Sequence, residues 1–271
     1  MPTTRFKYSV NDNFFSKDSD DALYWAGFFA ADGCIYKRTI NLFLANIDKS
    51  HVEKFVKAMG YTGNIHTNNK TKSCGVQITS PQIIKDLNTY NVVPRKSLSY
   101  KFPKKALKSK YLNSFIRGYF DGDGCVGLAK NKKDHRIISI MVSFSGTKAF
   151  LKVLRKVLII KCGFNKTKII KDKGIFRLSY GGKNQSKVFF DFLYKGSSKS
   201  TRLDRKYEKF FTPIETMDKL KKCMITNIVT GKKIKFNSAT ELAKYLNVAK
   251  TTGQRFCRDR ETRKNLAFKY I

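Results

Sequence analysis

The sequence is poor in acidic residues. It has 20 Asp and Glu against 55 Lys and Arg, which gives a formal net charge of +35. A compact protein with this excess would repel itself unless a polyanion neutralised it. The basic residues are spread along the whole chain and do not form one tail on a neutral body. The charge therefore favours nucleic acid as the partner, with a Lys-rich, AT-biased genome as the alternative explanation.

Long apolar runs are also missing. The longest, residues 22–31, is about half of what a membrane-spanning helix needs, and the N-terminus has no apolar signal-peptide core. There is no long basic amphipathic helix and no lipidation motif. With 41% hydrophobic and 13% aromatic residues, the chain can still build packed cores, which excludes the disordered class. We expect a soluble intracellular protein that is not secreted, from an organelle (mitochondrion) or a phage or bacterial cytoplasm.

Cysteine and histidine do not form a metal-binding pattern. The chain has 6 Cys and 3 His, and the cysteines contain no CxxC pair while the histidines are scattered. A zinc site needs such ligands at short, defined spacings. The sequence therefore predicts free thiols in a reducing compartment and no zinc site.

The most informative pattern is an internal repeat. Residues 24–34, YWAGFFAADGC, align without gaps with residues 115–125, FIRGYFDGDGC. After each copy the same order follows: strand-like alternation, a helix, two short strands and another helix. Capping patterns at Ser50 to Glu53, at Ser80 and at Thr147 mark helix starts. The sequence thus predicts a duplicated α+β unit of helix, two strands, helix, two strands, helix.

Small residues recur on one face of the repeated helix. Gly27 and Ala31 in the first copy match Gly118 and Gly122 in the second, and a spacing of four places each pair on one helical face. Such faces allow two backbones to approach closely. We expect the two helices to pack against each other across a pseudo-twofold axis.

An aspartate follows the second small residue in each copy. Asp32 and Asp123 would lie near each other at the helix C-termini, where Gly33 and Gly124 are predicted as left-handed caps. A carboxylate there opposes the helix macrodipole by roughly 0.3–1 kcal/mol, and two neighbouring carboxylates repel unless a proton or cation lies between them. Mg²⁺ (or Mn²⁺) is the natural compensation, which in a basic protein points to phosphodiester hydrolysis. The alternative is that both carboxylates only cap the turn into the next strand.

Residues 25–33, WAGFFAADG, and 116–124, IRGYFDGDG, resemble the two copies of the LAGLIDADG motif in single-chain homing endonucleases. The resemblance covers about residues 20–210. It implies an α+β, pseudo-twofold duplicated αββαββα fold whose antiparallel saddle sheets bind DNA, with halves at 1–105 and 106–212.

The same resemblance implies that the chain functions as a site-specific, Mg²⁺-dependent double-strand DNA endonuclease, which recognises a long asymmetric target as a monomer. The alternative is a non-cleaving maturase, with intron RNA as a partner, or a DNA-binding regulator on the same scaffold.

The resemblance also implies site residues. Asp32 and Asp123 would bind the metal, joined by the backbone carbonyls of Ala31 and Gly122. A basic residue near the end of each half usually helps to organise the metal-bound water. Lys96 fits in the first half; in the second we assign Lys199 and keep Lys206 as the alternative. The sixth motif position, Asp121 in the second copy and Ala30 in the first, is not a metal ligand in the family.

The strands provide candidates for reading DNA. Alternate side chains point to opposite faces, and Arg and Lys suit guanine edges while Asn and Gln suit adenine. The candidate readers are Lys37, Arg38, Asn41, Asn46, His66, Asn68, Lys70, Gln77, Lys130, Lys132, Arg136, Lys171 and Arg177.

The pattern changes in the C-terminal part, 213–271. Residues 224–236 predict a hairpin turning at Gly231, and a capping box at Ser238 opens a helix that is followed by a second one at 251–258. The helix pair has helix-turn-helix character and resembles small DNA-binding domains appended to intron-encoded nucleases. Its candidate DNA contacts are Lys250, Thr251, Thr252, Gln254 and Arg255. The alternative is a stabilising appendage.

Overall fold

The computed structural model describes residues 8–130, 137–214 and 222–271. The chain divides into two compact units, Met1–Ile214 and Glu215–Ile271. No helix in the described ranges is long and apolar enough to cross a membrane.

The first unit contains the predicted repeat. Its first copy consists of α1 (Asp20–Ala31), β1 (Cys34–Tyr36), β2 (Thr39–Ala45), α2 (Lys49–Ala58), β3 (His66–Asn68), β4 (Ser73–Thr79) and α3 (Pro81–Asn88). After α4 (Lys104–Lys108), the second copy consists of α5 (Leu112–Asp123), β5 (Gly124–Lys130), β6 (Ile137–Gly146), α6 (Lys148–Cys162), β7 (Ile169–Asp172), β8 (Ile175–Gly181) and α7 (Lys183–Tyr194), followed by α8 (Asp204–Lys209). The duplicated α+β architecture is confirmed.

Each copy forms one antiparallel four-stranded sheet, in the order β1-β2-β4-β3 or β5-β6-β8-β7. Alternation along β2 shows how the sheets are covered. Ile40, Leu42 and Leu44 are buried, whereas Phe43 and Ala45, which alternate with them, are exposed, so one face packs on the helices and the other stays open. One continuous apolar core runs through both copies.

Two of the predicted helix starts are confirmed. The hydroxyls of Ser80 and Thr147 accept hydrogen bonds from the third residue after them, at 3.2 and 3.1 Å. The capping box at Ser50 is wrong because a 3-10 turn, Asn46–Asp48, runs directly into α2 at Lys49 and places Ser50 inside the helix.

The predicted left-handed caps at Gly33 and Gly124 are also wrong. Neither residue has a positive φ, and Gly124 is extended at φ −88°. These two positions need glycine because a larger side chain would not fit there. A Cβ on Gly33 would lie 2.2 Å from the ring of Phe29, and one on Gly124 would lie 2.2 Å from the ring of Phe120.

The second unit has its own apolar core. It consists of β9 (Cys223–Asn227), β10 (Lys233–Phe236), α9 (Ala239–Tyr245), α10 (Lys250–Arg258), β11 (Thr262–Arg263) and β12 (Leu266–Tyr270). The predicted hairpin is confirmed, with Gly231 at φ +71°. The sequence reasoning missed β11 and β12, which complete a sheet in the order β10-β9-β12-β11.

Candidate active site

The two repeated helices touch through their glycines. A Cβ on Gly27 would lie 2.0 Å from the carbonyl oxygen of Phe115, and one on Gly118 would lie 1.9 Å from that of Tyr24. Tyr24 and Phe115 occupy equivalent positions in the two motifs, so the contact has pseudo-twofold symmetry. The close approach of α1 and α5 brings their C-termini together.

The two aspartates lie at this junction. Asp32 directly follows α1 and Asp123 is the last residue of α5. A Cβ on Gly122 would lie 3.2 Å from Asp32 Oδ2, so the Asp32 carboxylate lies beside the residue that precedes Asp123. The structure therefore brings the two predicted carboxylates together.

The electrostatics show that the two carboxylates interact. Burial and the neighbouring charge of Asp32 raise the pKa of Asp123 to about 6, against the pull of Lys96 and Lys206. Burial also raises the pKa of Asp32, which the charges of Lys206 and Lys96 partly offset. Like charges and desolvation both disfavour two ionised carboxylates here, so a cation would be stabilised.

A buried lysine binds the end of each motif helix. Lys96 Nζ donates to the carbonyl oxygens of Ala31 at 3.4 Å and Gly33 at 2.6 Å. Lys206 Nζ donates to those of Gly122 at 2.7 Å and Gly124 at 2.6 Å. These acceptors are equivalent in the two motifs, so the two ammonium groups occupy matching positions. Both satisfy helix-terminal carbonyls that have no partner within the helix.

The assignment of Lys199 is corrected. Lys199 is exposed on a short 3-10 turn, Lys199–Thr201, whereas Lys206 is 5% exposed and burial lowers its pKa to about 8. Two residues near the end of the second half carry the same charge, and only the path of the chain into α8 decides which one reaches α5. Lys206, the alternative, occupies the position equivalent to Lys96.

The donor set fits a hard divalent cation. In the described part of the chain, no cluster of three or more His, Cys, Asp or Glu could hold a metal ion, so the protein would offer two carboxylates and nearby carbonyl oxygens. Mg²⁺ is commonly bound by one or two carboxylates together with waters and substrate phosphates. The carbonyls of Ala31 and Gly122 each accept from a lysine and keep a second lone pair.

Sequence reasoning missed the role of Asp121. Its carboxylate is 1% exposed and accepts hydrogen bonds from Tyr24 Oη at 2.8 Å, Tyr194 Oη at 2.6 Å and the Leu203 backbone N–H at 2.8 Å. Tyr24 belongs to the first motif and the other partners to the second half. Asp121 therefore links the two halves next to Asp123. The signal available in the sequence was an acidic residue at a motif position that is otherwise apolar.

Arg117 and α8 add further links between the halves. The Arg117 guanidinium, 1% exposed, pairs with Asp20 at 2.9 Å. The guanidinium of Arg205 binds Asp48 through two hydrogen bonds of 2.7 and 2.9 Å. The first pair joins α5 to α1, and the second joins α8, which carries Lys206, to the 3-10 turn before α2 in the first half.

The candidate readers of the first half lie on or beside the open face of its sheet. Asn41 and Gln77 are register partners there, Phe43 is the next residue of β2 on the same face, and His66 is across from Gly75. Lys37, Arg38, Asn46 and Lys70 are exposed outside the strands. Asn68 Oδ1 accepts from the backbone N–H groups of Lys70 and Thr71, so this side chain holds the hairpin turn.

The candidate readers of the second half do not all lie on one face of its sheet. Lys171 pairs with Phe176, while Arg177 pairs with Ile170, so these two candidate readers lie on opposite faces of the sheet. The guanidinium of Arg177 is bound to Asp172 at 2.6 Å. Lys130 is exposed at the end of β5, and Lys132 and Arg136 lie outside the described residues.

In the second unit, α10 packs closely on α9. A Cβ on Gly253 would lie 2.8 Å from Ala243 Cβ. Lys250, Thr251, Gln254 and Arg255 are exposed and Thr252 is half-buried. The guanidinium of Arg255 pairs with Glu261 at 3.1 Å. The helix pair is present, and its contact with DNA stays a prediction.

Residues 110–192 match the family model of a LAGLIDADG-like domain. No curated protein sequence matches the chain. Among solved structures, the chain is similar to meganuclease I-SmaMI bound to uncleaveable DNA, with 12% identity, 72% of this chain and 87% of that chain covered, and a TM-score of 0.50. It is also similar to the LAGLIDADG homing endonuclease I-GzeII in complex with its DNA target, with 16% identity, coverage of 74% and 88%, and a TM-score of 0.46. At 12% identity the similarity to I-SmaMI concerns the fold, which is the predicted duplicated LAGLIDADG architecture.

Proposed function

We propose that this chain is a site-specific, Mg²⁺-dependent (or Mn²⁺-dependent) double-strand DNA endonuclease of the homing type that acts as a monomer. The observation that carries the proposal is the junction of α1 and α5, where Asp32 and Asp123 interact beside two matching buried lysines. A symmetric pair of acids within a chain of net charge +35 suits a polyanionic substrate with a scissile phosphate on each strand.

Asp32 and Asp123, with the carbonyl oxygens of Ala31 and Gly122, would hold the metal ion. When bound, the ion polarises the scissile phosphate and lowers the pKa of an attacking water. Lys96 and Lys206 fix the helix ends that carry the acids, and their positive charges lower the pKa values of both carboxyls. Both effects keep the acids oriented and ionised for metal binding.

The open faces of the two sheets support a DNA-binding role. Antiparallel strands present side chains to a groove at the spacing of the pleat, and a two-stranded ribbon fits the DNA major groove. The excess of basic residues would supply the phosphate contacts. Contact between DNA and α10 of the second unit belongs to the same proposal.

Substitution of the acids tests the proposal. A plasmid library with randomised inserts is incubated with the protein in Mg²⁺, and the ends of the linearised molecules are sequenced to find the target. Asp32→Asn and Asp123→Asn should each abolish double-strand cleavage of that target, while binding measured in Ca²⁺ stays within a few-fold of the wild type. Asp191→Asn, which changes an exposed carboxylate on α7, is the matched control and should cut normally.

Undiminished cutting by both motif variants would refute the mechanism. If the wild-type protein bound one DNA sequence or intron RNA tightly without cutting, the non-cleaving maturase or regulator would replace the endonuclease.

A further inference from the structure

The strand register allows the open faces of the two sheets to be compared position by position. Cys34 and Cys125 are equivalent because each follows the aspartate and glycine of its motif. Across the first sheet, Cys34 pairs with Asn41, which pairs with Gln77. Across the second sheet, Cys125 pairs with Ser143, which pairs with Ser179. Two long amides in one half thus correspond to two serines in the other.

A threonine holds both amides. Thr39 Oγ1 donates its hydrogen to the carbonyl oxygen of Tyr36 at 2.8 Å. It can therefore only accept from the side chains of Asn41 and Gln77, whose amide nitrogens lie 3.3 Å away in each case. This sharing fixes which atom of each amide faces Thr39, and it restricts the rotation of both side chains.

Each amide still has the groups that adenine recognition requires. An amide that gives one N–H to Thr39 keeps its second N–H and its carbonyl oxygen. Adenine presents N7 as an acceptor and N6 as a donor in the major groove, and the pairing of Asn or Gln with these two atoms discriminates against other bases. Less rotamer freedom in the free protein also means less entropy lost on binding.

The second half lacks this arrangement. Met141 stands at the position of Thr39, because it pairs with Gly181 as Thr39 pairs with Thr79. Serine hydroxyls contact several bases without strong preference. The one guanidinium on this face among the described strands, Arg177, is bound to Asp172. Recognition by DNA shape and flexibility would then account for more of the specificity of this half.

We propose that Asn41 and Gln77, oriented by Thr39, read adenine close to the cleavage centre, so that one half of the target is read by direct base contacts and the other is not. The proposal rests on the proposed function, because it takes the open faces of the sheets to lie against DNA. It identifies the substrate as an asymmetric duplex with adenine in one half-site, at the positions facing these two residues.

The test is selection of bound duplexes from a randomised DNA library, in Ca²⁺, with the full chain. The wild-type protein should enrich a site whose base preference is stronger in one half and includes adenine there. Asn41→Ala and Gln77→Ala should each reduce the adenine preference at one position by the order of tenfold and leave the other positions unchanged. Thr39→Val should weaken the preference at both positions.

The second half provides matched variants. Ser143→Ala combined with Ser179→Ala should change no preference by more than about twofold, since serine discriminates weakly. A triple variant, Met141→Thr, Ser143→Asn and Ser179→Gln, introduces the first-half residues at the equivalent positions of the second half. It should create an adenine preference in the half-site that the second half contacts. All these residues lie on an open sheet face, and thermal melting of each variant shows whether it is folded.

Equal base preference in both halves, or an unchanged adenine preference in both folded alanine variants, would overturn this inference while the endonuclease proposal stands. Enrichment of no sequence at all would instead refute site-specific DNA recognition, and with it the proposed function.

Discussion

His51 is a polar residue enclosed by the motif helix α1. It is 1% exposed, its ring lies against Trp25 and Phe28, and its Nε2 is 3.0 Å from Tyr24 Oη. Because the Tyr24 hydroxyl donates to Asp121, His51 Nε2 carries the hydrogen in this pair. Its Nδ1 has no hydrogen-bond partner among the described residues, so a proton there would be a buried, unpaired charge.

Burial, with a smaller contribution from the charge of Lys54, lowers the pKa of His51 to about 3 from its ordinary 6.5. Below pH 6.5 the unfolded chain therefore binds a proton that the folded chain does not. The stability that this group contributes is fully present above the ordinary pKa and is lost as the pH falls towards 3. Between pH 7 and pH 5 the loss should be about 2 kcal/mol.

Urea unfolding of the wild type and His51→Asn at the two pH values measures this loss. The wild type should lose about 2 kcal/mol more than the variant. In the wild type, the NMR resonances of the His51 ring should not shift between pH 7 and pH 5. Equal losses in the two proteins would show that His51 is protonated in the folded state.

The lysine assignment gives a second prediction at this scale. Lys206→Met removes the charge beside Asp121, Asp32 and Asp123 and the ammonium group that donates to the backbone carbonyl oxygens of Asp121, Gly122 and Gly124. We expect cleavage to fall by the order of 100-fold and stability by about 1–3 kcal/mol. Lys199→Met, its exposed control, should leave the cleavage rate within about twofold of the wild type and the free energy of unfolding unchanged. Cleavage rates on the selected target decide the assignment, which is wrong if the control loses activity instead.

At the scale of elements, the contact between α1 and α5 decides whether the site forms. Gly27 and Gly118 each face the backbone of the other helix, which cannot move away as the end of a side chain can. A larger residue must push the helices apart. Moving the helices apart would also move Asp32 and Asp123, at the C-termini of the helices, away from each other.

Gly27→Ala and Gly118→Ala test this contact. Overpacking of a core costs about 1–3 kcal/mol, and more where backbone is in the way, so both variants should melt several degrees below the wild type or fail to fold. Gly127→Ala in β5 is the control because the nearest atom to its Cβ would be 3.9 Å away. Equal melting midpoints for all three variants would show that the helices are not in this contact.

At the scale of the whole molecule, the net charge of +35 and the separate core of Glu215–Ile271 determine the expected binding behaviour. DNA affinity should fall steeply with salt, by about 10³–10⁵ between 50 and 200 mM if six to ten phosphates are contacted. A chain ending at residue 214 should show weaker binding and a shallower dependence on salt, because the basic residues of the second unit are lost.

The binding constants of the full and shortened chains, measured over that salt range, check this prediction. Circular dichroism of the shortened chain confirms that it is folded. Identical slopes would mean that the second unit does not contribute phosphate contacts, which favours the stabilising appendage.

Local patterns were sufficient for much of the architecture. Some signals depend only on residues that are close in sequence: the duplicated motif, the small residues on one helical face, and the caps at Ser80 and Thr147. The structure confirms the elements that these signals predict. The positions of Asp32 and Asp123 followed from the repeat because symmetric packing of two equal helices brings equivalent residues together. The predicted cap at Ser50 failed because a preceding 3-10 turn extended the helix.

Contacts between distant parts of the chain could not be predicted in this way. The sequence by itself determined the repeat, the paired acids and the charge that favours a polyanionic partner, since these depend on residue type and short-range spacing. Only the tertiary structure decided that Lys206 rather than Lys199 reaches α5, that Asp121 is bound by tyrosines from both halves, and that Lys171 faces away from Arg177. Chain path and strand register set those outcomes: in a β-strand a shift of one residue reverses the face on which every side chain lies.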